Sequence, residues 1–125
     1  MLDSMTGDVG EAAFLLEALS RGFVVSKPFG SAVGYDFILD NGKSLFKVQV
    51  KAANKAKSNR HQKNIASGFC IRSEGIVKFN ILILYKINTK DFYIIPSRKT
   101  KAGTIRVGSK SKLDCYKNNW SPFLP

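Results

Sequence analysis

Two hydrophobic periods succeed one another along the chain. Residues 8–21, beginning Asp8-Val-Gly-Glu11 and running through Ala12-Ala-Phe-Leu-Leu-Glu-Ala-Leu19, consist largely of strong helix formers. Gly22 is a natural stop, so the pattern predicts a helix over 8–21. Asp8 and Glu11 have the spacing of a capping box, and Val9, Ala12, Ala13, Leu16 and Leu19 form the apolar stripe. After Gly22 the period shortens to two. Residues 22–28 read as a short strand ended by Pro28, and 30–34 as a small flexible loop. Tyr35–Asp40 and Ser44–Ala52 read as strands joined by the hairpin signal Asn41-Gly42. Further on, Ile65–Arg72 and Asp91–Pro96 are strand-like and Ile105–Val107 is a possible edge piece. Residues 76–85 are so uniformly apolar that strand and buried helix remain open. Residues 112–120 suggest a short terminal helix or turn with Tyr116 and Trp120 one turn apart.

The hairpin makes a geometric prediction. A two-residue turn pairs Asp40 with Lys43, Ile38 with Leu45 and Asp36 with Lys47. Cross-strand partners share a face, so alternation puts Lys47, Gln49 and Lys51 on the face of Asp36. Tyr35, Phe37, Leu39, Phe46, Val48 and Val50 form the opposite, apolar face. Two readings of the polar face stand. It is an exposed sheet surface with an Asp36–Lys47 ion pair, or it is a hydrolytic site. A carboxylate and an amide oxygen are hard ligands for Mg²⁺, which stabilises phosphate charge and activates water. A neighbouring lysine orients the water or holds developing charge.

Charge bears on the partner rather than on the choice between these readings. The 125-residue chain has a formal net charge of +11. Residues 1–48 carry 4 basic and 6 acidic side chains, whereas 49–125 carry 16 basic and 3 acidic. Such one-sided charge suits a polyanion, since neutralised phosphates release counterions. Residues 53–64 are polar and basic throughout. They read as a mobile loop in which Lys55, Lys57, Arg60, His61 and Lys63 directly follow Lys51 and would contact DNA, as would Lys27. Arg98, Lys99, Lys101, Arg106, Lys110 and Lys112 form a second basic group, read as widening the same footprint or as a solvated rim. Two cysteines and one histidine cannot fill a structural zinc site; Cys70 and Cys115 read as buried reduced thiols. Neither a membrane-length apolar run nor a leader pattern is visible. The expectation is a soluble, cytoplasmic domain spanning residues 1–125, without a membrane partner.

The stretches Gly10-Glu-Ala-Ala-Phe14, Val25-Ser-Lys-Pro-Phe-Gly30, Gly34-Tyr-Asp-Phe-Ile38, Val48-Gln-Val-Lys51, Asp91–Pro96 and Tyr116…Trp120, in that order, resemble the PD-(D/E)XK nuclease superfamily, nearest its group I intron-associated and related small endonuclease domains. The resemblance implies an α/β restriction-endonuclease-like fold, a mixed β-sheet flanked by helices with the order α-β-β-β in its first half. It also implies a metal-dependent endonuclease hydrolysing phosphodiester bonds in double-stranded DNA, with Mg²⁺ or substituting Mn²⁺ as cofactor and a homodimer or higher homo-oligomer as a natural assembly. Asp36, Gln49 and Glu11 would hold the metal, and Lys51 would be the motif lysine. Glu11 retains its competing capping reading. Gln49 departs from the usual Asp or Glu, which removes one formal charge of metal attraction. The alternatives are a nucleic-acid-binding module of the same fold with a weak or inactive site, and a small basic protein that binds RNA or an acidic partner.

Overall fold

A computed structural model describes residues 3–30, 33–54, 66–71, 78–100, 103–108 and 112–125. Its helix, α1, spans Asp3–Ser20 and so starts five residues before the sequence suggests. Asp8 and Glu11 therefore lie inside the helix, and the capping-box reading falls. The buried stripe also differs. Gly10, Phe14 and Ala18 are buried with Val9 and Ala13 beside them, while Leu16 and Leu19 are exposed. Small Gly10 and Ala18, each four residues from Phe14, let the helix settle closely on the sheet. Its far end closes as the composition requires. Gly22, at φ +88°, donates to the Leu19 carbonyl and Phe23 donates to that of Ala18, the double bond of a glycine-ended helix.

The strands are β1 (Val24–Ser26), β2 (Phe37–Asp40), β3 (Leu45–Ala53), β4 (Ala66–Ile71), β5 (Ile81–Lys86), β6 (Asp91–Pro96) and β7 (Gly103–Gly108). Five of them form a mixed sheet in the order β1-β2-β3-β5-β6. β3 and β5 are parallel and the other neighbours antiparallel. β4 and β7 pair separately as an antiparallel ribbon. Residues 81–86 are buried throughout. A strand covered on both sides has no polar face to reveal its period, so the open choice over 76–85 resolves as a strand for this part of it.

α1 covers one side of the sheet. There Phe14, Phe37, Val48, Val50, Ile83 and Ile94 form one cluster, and the chain's end joins it through Trp120 and Phe123. The other side has its own cluster of Phe79, Leu82, Leu84, Tyr93 and Ile95, with Tyr35, Leu113 and Tyr116 against it; no α-helix covers this side among the described residues. Instead of a terminal helix, residues 114–116 and 121–123 make single 3-10 turns. Tyr116 and Trp120 consequently belong to opposite sides of the sheet. Cys115 is exposed and unpaired, not buried.

Candidate active site

The β2–β3 hairpin keeps the predicted parity but not the predicted turn. Asp40 pairs with Leu45 and Ile38 with Lys47, so the loop has four residues, 41–44. Side chains account for the wider turn: Asp40 Oδ1 accepts from the Gly42 amide, and Asn41 Oδ1 accepts from those of Lys43 and Ser44. A slip of two leaves every face unchanged. It also moves Gln49, rather than Lys47, opposite the position of Asp36.

At Asp36 the ladder changes character. Phe37 is the register partner of Val48, yet the Asp36 amide also donates to the Val48 carbonyl at 2.8 Å. Two residues addressing one is the pattern of a β-bulge. It ends the alternation there, and Tyr35 leaves the helix-side core for the opposite cluster, where Lys47 Nζ lies 5.6 Å from its ring centre. The Asp36 carboxylate takes the place of a missing strand acceptor: Oδ2 accepts from the Val50 amide at 2.8 Å. That amide lies between Gln49 and Lys51. The approach to Asp36 is set by Gly34, at φ +76°, where an added Cβ would lie 2.6 Å from Lys78 Cδ.

Gln49 and Lys51 are half-buried and alternate with buried Val48 and Val50, which face α1. They therefore share the opposite face with Leu82 and Leu84, their partners on β5. Among the described residues, Asp36 Oδ1 and the side chains of Gln49 and Lys51 have no hydrogen-bond or ion-pair partner.

Glu11 reaches the same end of the sheet from the helix side. Gly10 abuts Ala52, and the neighbouring Glu11 carboxylate, 28% exposed, lies 3.5 Å from Lys27 Nζ. Lys27 follows β1 and also sits 5.6 Å from the Phe37 ring centre. The chain thus gathers Asp36, Gln49 and Lys51 at one strand pair and brings Glu11 to the same end already paired with Lys27. No group of three or more His, Cys, Asp or Glu able to hold a metal is found among the described residues; the side-chain oxygens available at this end are those of Asp36, Glu11 and the Gln49 amide. Two protein oxygens still match the chemistry of Mg²⁺, which keeps several waters and takes only one or two carboxylates.

Lys55, Lys57, Arg60, His61 and Lys63 lie outside the described residues. In the second basic group, Arg98 and Lys99 lie just beyond Pro96, which aligns with Ile81 and Val48. They therefore lie towards the opposite end of the sheet from Lys51. One cation at the Lys51 end escaped the sequence reading: Lys86, the last residue of β5. Its signal was a single charge ending an otherwise apolar run. Across from it, Asp91 is held below the ordinary carboxylate range. Burial alone would raise it, but hydrogen bonds from Thr89 and Asn118 and the charges of Lys117 and Lys86 outweigh that effect.

A family model described as PD-(D/E)XK endonuclease matches residues 1–114. The solved structure of a bacterial homing endonuclease, I-Ssp6803I, superposes with a TM-score of 0.83 at 24% sequence identity, covering 98% of this chain and 91% of that one; at that identity the likeness speaks to the fold. No curated protein sequence matched the chain. No helix among the described residues is long and apolar enough to cross a membrane.

Proposed function

The chain belongs to the PD-(D/E)XK endonuclease family, and from that premise we propose that it is a Mg²⁺-dependent endodeoxyribonuclease whose site is the sheet end bearing Asp36, Gln49 and Lys51. The observation that carries the proposal is the tether of Asp36. One carboxylate oxygen is fixed to the amide of Val50, the residue between Gln49 and Lys51, and the other is left without a partner among the described residues. Preorganised groups of this kind act without reorganising during the reaction.

Asp36 and the Gln49 amide oxygen would hold the metal, with Glu11 as a further donor if it exchanges its Lys27 contact. The metal supplies charge neutralisation at phosphate and activation of water. Lys51 places an ammonium where negative charge grows on the phosphoryl oxygens. The reaction adds one water across a P–O bond and leaves a phosphate and a hydroxyl end. Lys27 and the basic stretch Lys55, Lys57, Arg60, His61 and Lys63 would bind the DNA backbone, the stretch beginning two residues beyond the end of β3. Cutting both strands calls for two such sites, which a symmetric homodimer supplies.

The second reading, a DNA-binding module that does not cut, is favoured by Gln49, which gives the metal no charge. Supercoiled plasmid incubated with Mg²⁺ or Mn²⁺ separates the two. Open-circular and linear products that vanish with EDTA support the proposal. A chain that retards the plasmid yet leaves it closed in both metals supports the module instead.

A further inference from the structure

Lys86 is 8% exposed and is the only charged side chain in the described core. Among the described residues its ammonium has no hydrogen bond and no ion pair. The nearest acid by register, Asp91 on β6, is already engaged. Asn118 Nδ2 donates to its Oδ1 at 3.0 Å, and Lys117 Nζ stands 3.7 Å from its Oδ2. The Asp91 charge acts on Lys86 across the strand pair without contact; a buried ammonium with no hydrogen bond is costly, and its position indicates what would supply one. Lys86 continues the face of Leu82 and Leu84, which pair with Gln49 and Lys51 on the parallel strand β3. By strand spacing and rise, its Cα lies about 8 Å from that of Lys51. Both lysines approach the carboxyl ends of the one parallel pair in the sheet, where open α/β sheets take their ligands.

We propose that Lys86 is a second phosphate-binding cation of this site, holding the backbone phosphate next to the one that is cut. This rests on the endonuclease reading above. The anion it takes is the DNA phosphodiester itself, and its burial makes it a fixed contact rather than part of a diffuse basic surface.

The test is DNA binding by fluorescence anisotropy, using a labelled duplex in EDTA so that no cleavage intervenes, over a series of salt concentrations. Each phosphate contact contributes about 0.9 to the slope of log K against log salt. Lys86→Met and Lys86→Gln should each lower the slope by about 0.9 and weaken binding, while Lys86→Arg restores the wild-type slope. Binding is read at a temperature where circular dichroism shows each variant folded across the salt series, so a destabilised variant still reports. An unchanged slope in Met and Gln variants that melt early would show that Lys86 only balances charge near Asp91, and would overturn the proposal. Asp36→Ala is run alongside: wild type that binds and cuts, with cutting lost in Asp36→Ala, keeps the functional reading whatever Lys86 does. Wild type that does not bind DNA overturns both.

Discussion

Gly10→Ala sets two ordinary rules against each other. In a helix interior Ala is favoured over Gly by about 1 kcal/mol, so propensity alone makes this substitution stabilising. The structure says otherwise. An added Cβ at Gly10 would lie 2.6 Å from Ala52 Cβ and 3.6 Å from Val50 Cγ1, whereas carbon atoms rest about 3.5–4.0 Å apart. Neither methyl can rotate away from the short contact, so α1 must lift from β3 as a body. Overpacking costs about 1–3 kcal/mol, and a contact about 1 Å too short between two methyls fixed to backbone belongs in the upper part of that range, about 2–3 kcal/mol. With the propensity gain deducted, the expected net loss is roughly 1–2 kcal/mol, a fall in melting temperature of roughly 3–10 °C. Thermal unfolding by circular dichroism measures it. Ala52→Gly supplies the control, at its own cost of about 0.5–1 kcal/mol for a strand glycine. In that background Gly10→Ala should become neutral or stabilising, a coupling of about 1 kcal/mol or more between the two positions. A Gly10→Ala protein as stable as wild type, or one equally destabilised in both backgrounds, would refute the close packing of α1 on the strand that carries Gln49 and Lys51.

Two further outcomes follow from the site's electrostatics. Asp91 is held below its ordinary value of 3.8 in the folded chain, so the unfolded chain binds the proton more readily. The stability this gives is present above that value and is lost as pH falls through the folded one. Asp91→Asn should therefore flatten the decline in melting temperature below about pH 4, and an unchanged acid limb would contradict the assignment. Gln49→Glu restores a formal charge beside Asp36. It should lower the Mg²⁺ concentration giving half-maximal plasmid cleavage, and an unchanged or higher requirement would count against Gln49 as a metal donor.

The sequence was most legible where one face of an element is buried and the other is not. The alternation of β3 assigned Val48 and Val50 to the core and Gln49 and Lys51 to the other face, and the structure agrees. The hairpin loop was misjudged because Asp40 and Asn41 side chains capture three loop amides, which opens a tighter turn into four residues. The even slip spared the face assignment. Tyr35 was lost to a bulge, a local event with no periodic signature. In α1 the expected stripe held at Val9 and Ala13 and failed at Ala12, Leu16 and Leu19; the buried contact is made by Gly10, Phe14 and Ala18. A close-packed helix uses small residues, and a stripe chosen by hydrophobicity overlooks them. Lys86 was hidden for the complementary reason: in a strand buried on both sides, a single charge reads as an end signal rather than as part of a site.

The central claim is that Asp36 serves as a charged ligand at a cutting site and not only as a strand tether. Asp36→Asn separates these roles, because the amide oxygen still accepts from the Val50 amide while the negative charge is gone. The direct measurement is Mg²⁺-dependent nicking of supercoiled plasmid by this variant, with its melting temperature taken on the same preparation. The expected result is a fold close to wild type in stability and plasmid that stays closed. Nicking at the wild-type rate by the folded Asp36→Asn protein would contradict it.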